Sequence, residues 1–420
     1  MGSERAYQAL RHRDFRLLWS AELVSSLGTQ VQRVAVAWHV FQLTGDPVQL
    51  GLLGLCRFVP ILLFGIAGGV VADRGDRRRT LVAAQLLLAG TSATLATLVA
   101  TGTDGLLAIY ALTFCAATFG AVSNPTRQAL VPAIVPRSSL AGAVTANILA
   151  FQVAAVAGPA VGGLVIGKVG LAAAYGFDAL SFVVVVASLL AIRAPATLAP
   201  PPGGGLAAAR EGLRFLRGSP VLLGVMSLDF VATFFGASTV LMPIFATEVL
   251  DVGATGLGLL LAGPAVGAVV ASAWMGFART MARPGFGVLV AVAVYGACIL
   301  GFGLSRDLRL SLVLLAGGGA ADAVSMALRH SVRTLATPDA VRGRVAAAHS
   351  TFAMGGPQLG EFEAGVLAAA VGAGPSVALG GLGTVLAAGV IAALAPGIAA
   401  YRAPLAVAPI AAPTPAPLTD

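Results

Sequence analysis

The stretch Gly69-Val70-Val71-Ala72-Asp73-Arg74-Gly75-Asp76-Arg77-Arg78-Arg79 lies between two long apolar runs. A charged side chain at mid-membrane costs roughly 2.5–3.5 kcal/mol on insertion scales. So dense a cluster of aspartates and arginines cannot sit in hydrocarbon, and the segment reads as a short polar loop joining two membrane-spanning helices. Working outward, apolar stretches of about 20 residues recur on both sides, the length a helix needs to cross a bilayer. The chain has 420 residues, 57% hydrophobic and only 10% charged, with a mean hydropathy of +0.90. Soluble chains average about 25% charged residues, so a soluble fold would lack polar surface to cover itself. The alternating segments of about 10 residues that mark a β-barrel are absent. The stretch from Tyr7 to Arg16 is polar and basic, and the apolar run after it is too long for a signal sequence.

Polar breaks divide the chain into spans near 17–43, 50–72, 80–101, 106–126, 140–167, 170–192, 219–247, 256–278, 286–304, 309–332, 346–371 and 376–399. The breaks are Thr44 to Val48, Asp73 to Arg79, Thr101 to Gly105, Arg127 to Ser139, Ala194 to Ser219, Arg279 to Gly285, Ser305 to Arg309 and Arg333 to Arg344. The widest contains Pro200-Pro201-Pro202-Gly203-Gly204-Gly205 and follows the sixth span, so it reads as a linker between halves. The expected fold is an all-α polytopic membrane protein, with twelve transmembrane helices in two six-helix pseudo-repeat bundles. Its expected parts are an N-terminal segment (1–16), a first bundle (17–192), a linker (193–218), a second bundle (219–399) and a Pro/Ala-rich disordered tail (400–420).

Charge placement sets the orientation. Of the 26 lysines and arginines, Arg33 and Arg57 fall within spans, and only Lys168, Arg306 and Arg309 fall on the face opposite the N-terminus. By the positive-inside rule both termini are cytoplasmic. The net charge of +8 and pI near 10.2 are therefore topological and imply no nucleic-acid partner. Cys56, Cys115 and Cys298 lie in apolar spans and read as small packing residues. His12, His39, His330 and His349 share no ligand spacing, so neither metal nor cofactor is expected. No Walker loop, nucleophile elbow or soluble domain points to an enzyme or to ATP-driven transport.

Two internal echoes suggest repeated halves. Gly51-Leu52-Leu53 opens span 2 and Gly258-Leu259-Leu260 opens span 8, an offset of 258 − 51 = 207 that also carries Gly69 onto Gly276. Gly158-Pro159-Ala160-Val161-Gly162 in span 5 is echoed by Gly356-Pro357-Gln358-Leu359-Gly360 in span 11. Repeated halves around a central site recur among transporters.

From Phe15 to about Ala399 the chain resembles a twelve-helix transporter of the major facilitator superfamily. The nearest branch is that of enterobactin exporter-like permeases and drug–proton antiporters. Asn124-Pro125-Thr126-Arg127-Gln128-Ala129-Leu130-Val131-Pro132, Leu228-Asp229-Phe230-Val231-Ala232-Thr233-Phe234-Phe235 and Gly356 to Glu361 are typical of it. The family's loop motif between helices 2 and 3 maps onto Gly69, Asp73, Arg74, Arg77 and Arg78, with Asp76 where a glycine is usual. That resemblance implies a gate on the cytoplasmic side in which Asp73 joins a charge network with the other half and Arg127 contributes; a loop that only holds orientation is the plainer reading. Gly158-Pro159-Ala160-Val161-Gly162-Gly163 matches the family's span 5 antiporter motif, with Ala154 where an upstream glycine is usual. In the family this pattern accompanies export; generic Gly/Pro helix packing would read the same.

The intramembrane charges are Glu22, Asp178, Asp229, Asp322, Glu361, Glu363, Arg33 and Arg57. At about 1.5 Å per residue, Asp229, Asp322, Glu361 and Glu363 come near mid-span, whereas Glu22 and Asp178 lie nearer span ends, within reach of water. Burial favours the protonated form of a carboxylate and a neighbouring guanidinium the ionised form. A group held between those pulls can carry a proton, and Asp229, Glu361 and Asp322 are the candidates in that order. Interhelix pairing, for instance of Arg57 with one of these acids, is the structural alternative. Arg33 and Arg57 can contact an anionic substrate or merely neutralise the acids. Gln30, Gln32, Asn147, Gln152 and Gln358 are polar cavity candidates, with Phe230 and Phe234 as apolar ones. The expected activity is proton-coupled export of a small amphipathic molecule, such as a siderophore or drug, by a monomer in a bacterial cytoplasmic membrane. Import of a metabolite, or sensing without transport, are the other readings.

Overall fold

The computed structural model describes residues 9–74, 76–192, 214, 218–277, 283–338 and 342–401, with the side chains at 65–74, 276–277, 342–344 and 346–354 left aside. The expected linker up to Arg217 and the tail from Arg402 lie outside the described residues except for Arg214. Among the described residues there is no strand. In chain order the long helices are α1 (Arg13–Thr44), α2 (Pro47–Arg74), α3 (Arg77–Thr101), α4 (Leu106–Ile134), α5 (Leu140–Lys168), α6 (Leu171–Ala191), α7 (Pro220–Phe235), α8 (Gly253–Phe277), α9 (Pro284–Leu304), α10 (Leu308–Ala336), α11 (Arg342–Val371) and α12 (Ala373–Leu394). A short helix, α13 (Pro396–Ala400), follows.

Local chemistry explains several ends. Gly45 closes α1 at φ 60° and Gly102 closes α3 at φ 65°, the left-handed conformation that suits glycine. Asp76 and Asp307 open α3 and α10 as side-chain N-caps. Among the described residues, ten helical segments are long and apolar enough to cross a membrane. Helix α1, equally long, is not among them and carries Glu22 and Arg33 along its length.

Three boundaries differ from the sequence expectation. Helix α2 runs through Asp73 and Arg74, and only Gly75 and Asp76 separate it from α3. Helix α4 continues through Pro125 and Pro132 to Ile134, so Arg127, expected in a loop, is helical. The seventh span is broken. Helix α7 ends at Phe235, and the chain continues as a 3-10 turn (Thr239–Leu241), one α turn (Met242–Ile244) and a π turn (Phe245–Val249). The Tyr295 hydroxyl donates to the Gly236 carbonyl at 3.0 Å, supplying a partner for a group the broken helix leaves open.

Most helix contacts fall within α1–α6 or within α7–α12. Helix α1 lies on α5 and α6, α3 on α4 and α6, and α2 on α4; in the second set α9 lies on α10 and α12, α8 on α10, and α11 on α7. Two broad contacts join the sets, α2 with α11 and α5 with α8. Both are glycine crossings of the same construction. A Cβ on Gly51 or Gly365 would strike the backbone of the facing helix, and so would one on Gly163 or Gly258.

Buried apolar residues show where the two sets meet. One large core draws on both, joining Val31, Leu53 and Ile166 to Leu257, Phe302 and Val377. It lies at the end where α1 turns into α2 and α5 into α6. At the other end the cores are separate, one around Phe15, Leu81 and Leu189 and another around Val225, Val288 and Ala388. Among the described residues the buried core is therefore shared at the joint end and separate at the end where α1 begins and α12 finishes.

Candidate functional site

The ionisable side chains gather in three groups between these ends. At the floor near the joint core, Arg57 of α2 meets Glu361 of α11, with Nη1 3.4 Å from Oε2. The break in the seventh span brings Thr239 beside them, its hydroxyl donating to Glu361 Oε1 at 3.4 Å. Arg33 of α1 lies close enough to feel the charges of both Arg57 and Glu361. It is exposed, although α1 is packed against α5 and α6. It therefore looks into the space between the helix sets.

The second group belongs to the second helix set. Arg329 of α10, only 5% exposed, stands 3.1 Å from Asp229 Oδ1 of α7 through Nη1 and donates through Nη2 to Asp322 Oδ1 at 3.1 Å. Arg333, one turn on, is close enough for Asp229 and Arg329 to act on it. Desolvating two carboxylates is tolerable here because a forked guanidinium serves both.

The third group mirrors the second. Arg127 of α4 pairs with Glu22 of α1 and donates to Asn124 Oδ1 at 3.3 Å. Glu22 and Asp229 are separated by 229 − 22 = 207 residues, the offset that relates Gly51 to Gly258. Each helix set thus places an acid on its first helix against an arginine on its fourth. The offset was available in the sequence, but the pairing needed the fold.

One acid was misplaced by depth counting. Asp178, expected to reach water, is 0% exposed. Its Oδ2 accepts from Ser92 Oγ at 2.6 Å, Ser92 accepts from Gln32 Nε2 at 2.8 Å, and its Oδ1 has no hydrogen-bond partner. The span turned the side chain inward between α1, α3 and α6, where Gly28 leaves just enough room.

The other candidates disperse. Gln30 abuts Gly158 at the α1–α5 contact, and Gly162 and Gly163 of the same motif pack on α1 and α8, so Gly158-Pro159-x-x-Gly162-Gly163 is a helix-contact surface. Gln358 lies on the α2–α11 crossing, its Oε1 buried and unpartnered. Phe230 and Phe234 stack at 5.6 Å along α7. Asn147, Gln152 and Glu363 are half-buried. The surroundings of Gly69 and the side chains of Asp73 and Arg74 lie outside what the structure describes. Arg77 and Arg78 brace the first helix set, donating to the carbonyls of Ala129 at 3.3 Å and Leu190 at 2.7 Å. Asp76, which replaces the motif's usual glycine, accepts from the N–H groups of Arg78 and Arg79 and so caps α3. Among the described residues no group of His, Cys, Asp and Glu could hold a metal.

Comparison with known proteins agrees with this architecture. The enterobactin exporter EntS of Escherichia coli O139:H28 (strain E24377A / ETEC) is 30% identical over 341 residues, 80% of each chain. That of Citrobacter koseri is 28% identical over 382 residues, 89% of this chain and 90% of the other. Among solved structures, a bacterial homologue of the human lysosomal transporter Spinster superposes with a TM-score of 0.67 at 16% identity, covering 94% and 96% of the two chains. A POT family transporter in complex with 5-aminolevulinic acid gives 0.71 at 12%, covering 92% and 96%. These last two likenesses speak to the fold alone. The family model described as transmembrane secretion effector matches residues 4–413. The chain belongs to that family, a transporter family of the major facilitator superfamily, and is a multi-pass membrane protein rather than an enzyme.

Proposed function

We propose that this protein is a proton-coupled exporter of a small amphipathic molecule, working by alternating access as a monomer in a bacterial cytoplasmic membrane. In this reading all twelve long helices span the bilayer as two six-helix bundles, and both termini are cytoplasmic. The observation that carries it is the asymmetric core: shared at one end, split at the other, with the unpaired and paired charges between. A molecule entering from the cytoplasmic end meets polar groups, and rocking about the α2–α11 and α5–α8 crossings would open the far end.

Asp229 and Asp322 share Arg329, so a proton on one acid releases the guanidinium to the other. Glu361 links the helix sets through Arg57 and is the second candidate carrier. The likeness to enterobactin exporters makes a siderophore a reasonable first cargo to test. In energised inside-out vesicles, enterobactin should accumulate, and its addition should release a pre-formed proton gradient. Asp229→Asn and Glu361→Gln should each lower gradient-driven accumulation by about tenfold or more. Normal pH-driven transport in both variants would sink the carrier assignment, and gradient-driven movement only in the opposite direction would make the protein an importer.

A further inference from the structure

The floor of the interior holds two guanidiniums against one carboxylate. Glu361 is already engaged, by Arg57 at 3.4 Å and by Thr239 at 3.4 Å. Arg33 has no ion pair among the described residues, yet it is exposed and sits within the influence of Arg57. Two like charges enclosed by helices repel, and the arrangement gains when an anion joins them. The Arg57–Glu361 contact is also loose. It is a single contact longer than the 2.7–2.9 Å or so of a good charge-assisted bond, so the remaining Arg57 N–H groups are open to another acceptor.

The neighbouring residue adds a second polar feature. The Ser92 hydroxyl is committed as donor to Asp178 Oδ2, so it takes its own hydrogen bond from Gln32 Nε2. That chain orients the amide and leaves the Gln32 carbonyl as an acceptor one residue from Arg33.

We propose that Arg33 and Arg57 form a subsite for the negatively charged group of an organic anion, and that an anion seated there competes with Glu361 for Arg57. The guanidinium fork suits a carboxylate or a similar acidic oxygen pair. Because Arg57–Glu361 also ties α2 to α11, occupation of the subsite loosens the ion pair at the closed end. The proposal takes its place in transport from the exporter reading above, but anion binding needs neither a gradient nor export.

Isothermal titration of the purified protein with 2-naphthoate and with its neutral counterpart 2-naphthamide tests it. Wild type should bind the carboxylate about tenfold more tightly than the amide. Arg33→Gln should erase that preference while leaving amide affinity unchanged. Arg33→Lys, which keeps the charge and loses the fork, should retain part of it and serves as the reading should Arg33→Gln fail to fold. Glu361→Gln should tighten naphthoate binding by freeing Arg57. Equal binding of the two compounds by wild type, no heat from either, or an unchanged preference in a folded Arg33 variant would overturn the subsite. A variant that loses anion preference but still exports leaves the exporter reading intact. Anion binding by a protein that exports nothing leaves the subsite intact.

Discussion

His39 is buried near the joint end, with Nε2 2.9 Å from Asp104 Oδ2 and Nδ1 3.1 Å from the Tyr175 hydroxyl. One tautomer satisfies both contacts: Nε2–H donates to the carboxylate and Nδ1 accepts from the tyrosine. Asp104 lies between α3 and α4, outside the spans, and the hydrogen bond from His39 holds it below the usual carboxylate range. A depressed carboxylate adds stability above its unfolded value of about 3.9 and loses it as pH falls through the folded value. Asp104→Asn should therefore cost about 1 kcal/mol at neutral pH. In thermal melts the gap from wild type should narrow below about pH 4, and a gap that persists to the lowest accessible pH would refute the account. The sequence marked His39 only as one of four scattered histidines, because its partners come from α6 and from the turn after α3. Asp76 shows the converse. Its departure from the family glycine is readable locally, since a carboxylate one residue before a helix is an N-cap.

The helices themselves were largely legible, because an apolar run bounded by Gly, Pro and charges is a local property. The exception is the seventh span, expected unbroken over 219–247. Its break depends on Tyr295 reaching Gly236 and on Gly360 and Gly380 lying against the carbonyls of Phe234 and Phe235. None of these is adjacent in sequence. The first glycine echo, weak as text, turns out to mark the two crossings between helix sets, Gly51 on Gly365 and Gly258 on Gly163, whereas the second lies within each set, Gly158 and Gly162 on α1 and Gly356 and Gly360 on α7. A valine at Gly258 must push α8 from α5, because backbone atoms cannot yield as a flexible side chain does. In a background lacking the native cysteines, Gly258→Val should raise labelling of a cysteine placed at Ala254, half-buried against Gly163, by a membrane-impermeant maleimide several-fold. Unchanged labelling in a folded variant would mean that this crossing does not hold the end closed.

Across the whole molecule the decisive feature is one core shared by both helix sets and two cores that are not. Burial of apolar surface holds the joint end, and the other end has no such tie among the described residues. If the sets rock, spin labels at Ser138 and His330, both exposed near the divided end, should report two distance populations. Closing that end should shift the balance toward the shorter one by about 10 Å, the spacing of packed helices. A single unchanging distance under acidic and alkaline conditions, with and without enterobactin, would argue against the motion.

Membrane immersion, the approximate span limits and the family follow from the chain alone, since hydropathy accumulates residue by residue and motifs are contiguous. Which charges meet follows only in part: pairing of Arg57 with one of the central acids is among the readings the chain allows, but not which acid. Arg57 and Glu361 are 361 − 57 = 304 residues apart, and Asp178 turned inward where its depth had placed it near water. Those outcomes depend on how far each helix is rotated and which helix it lies against, and that is settled by close fit between distant segments rather than by any one segment's composition.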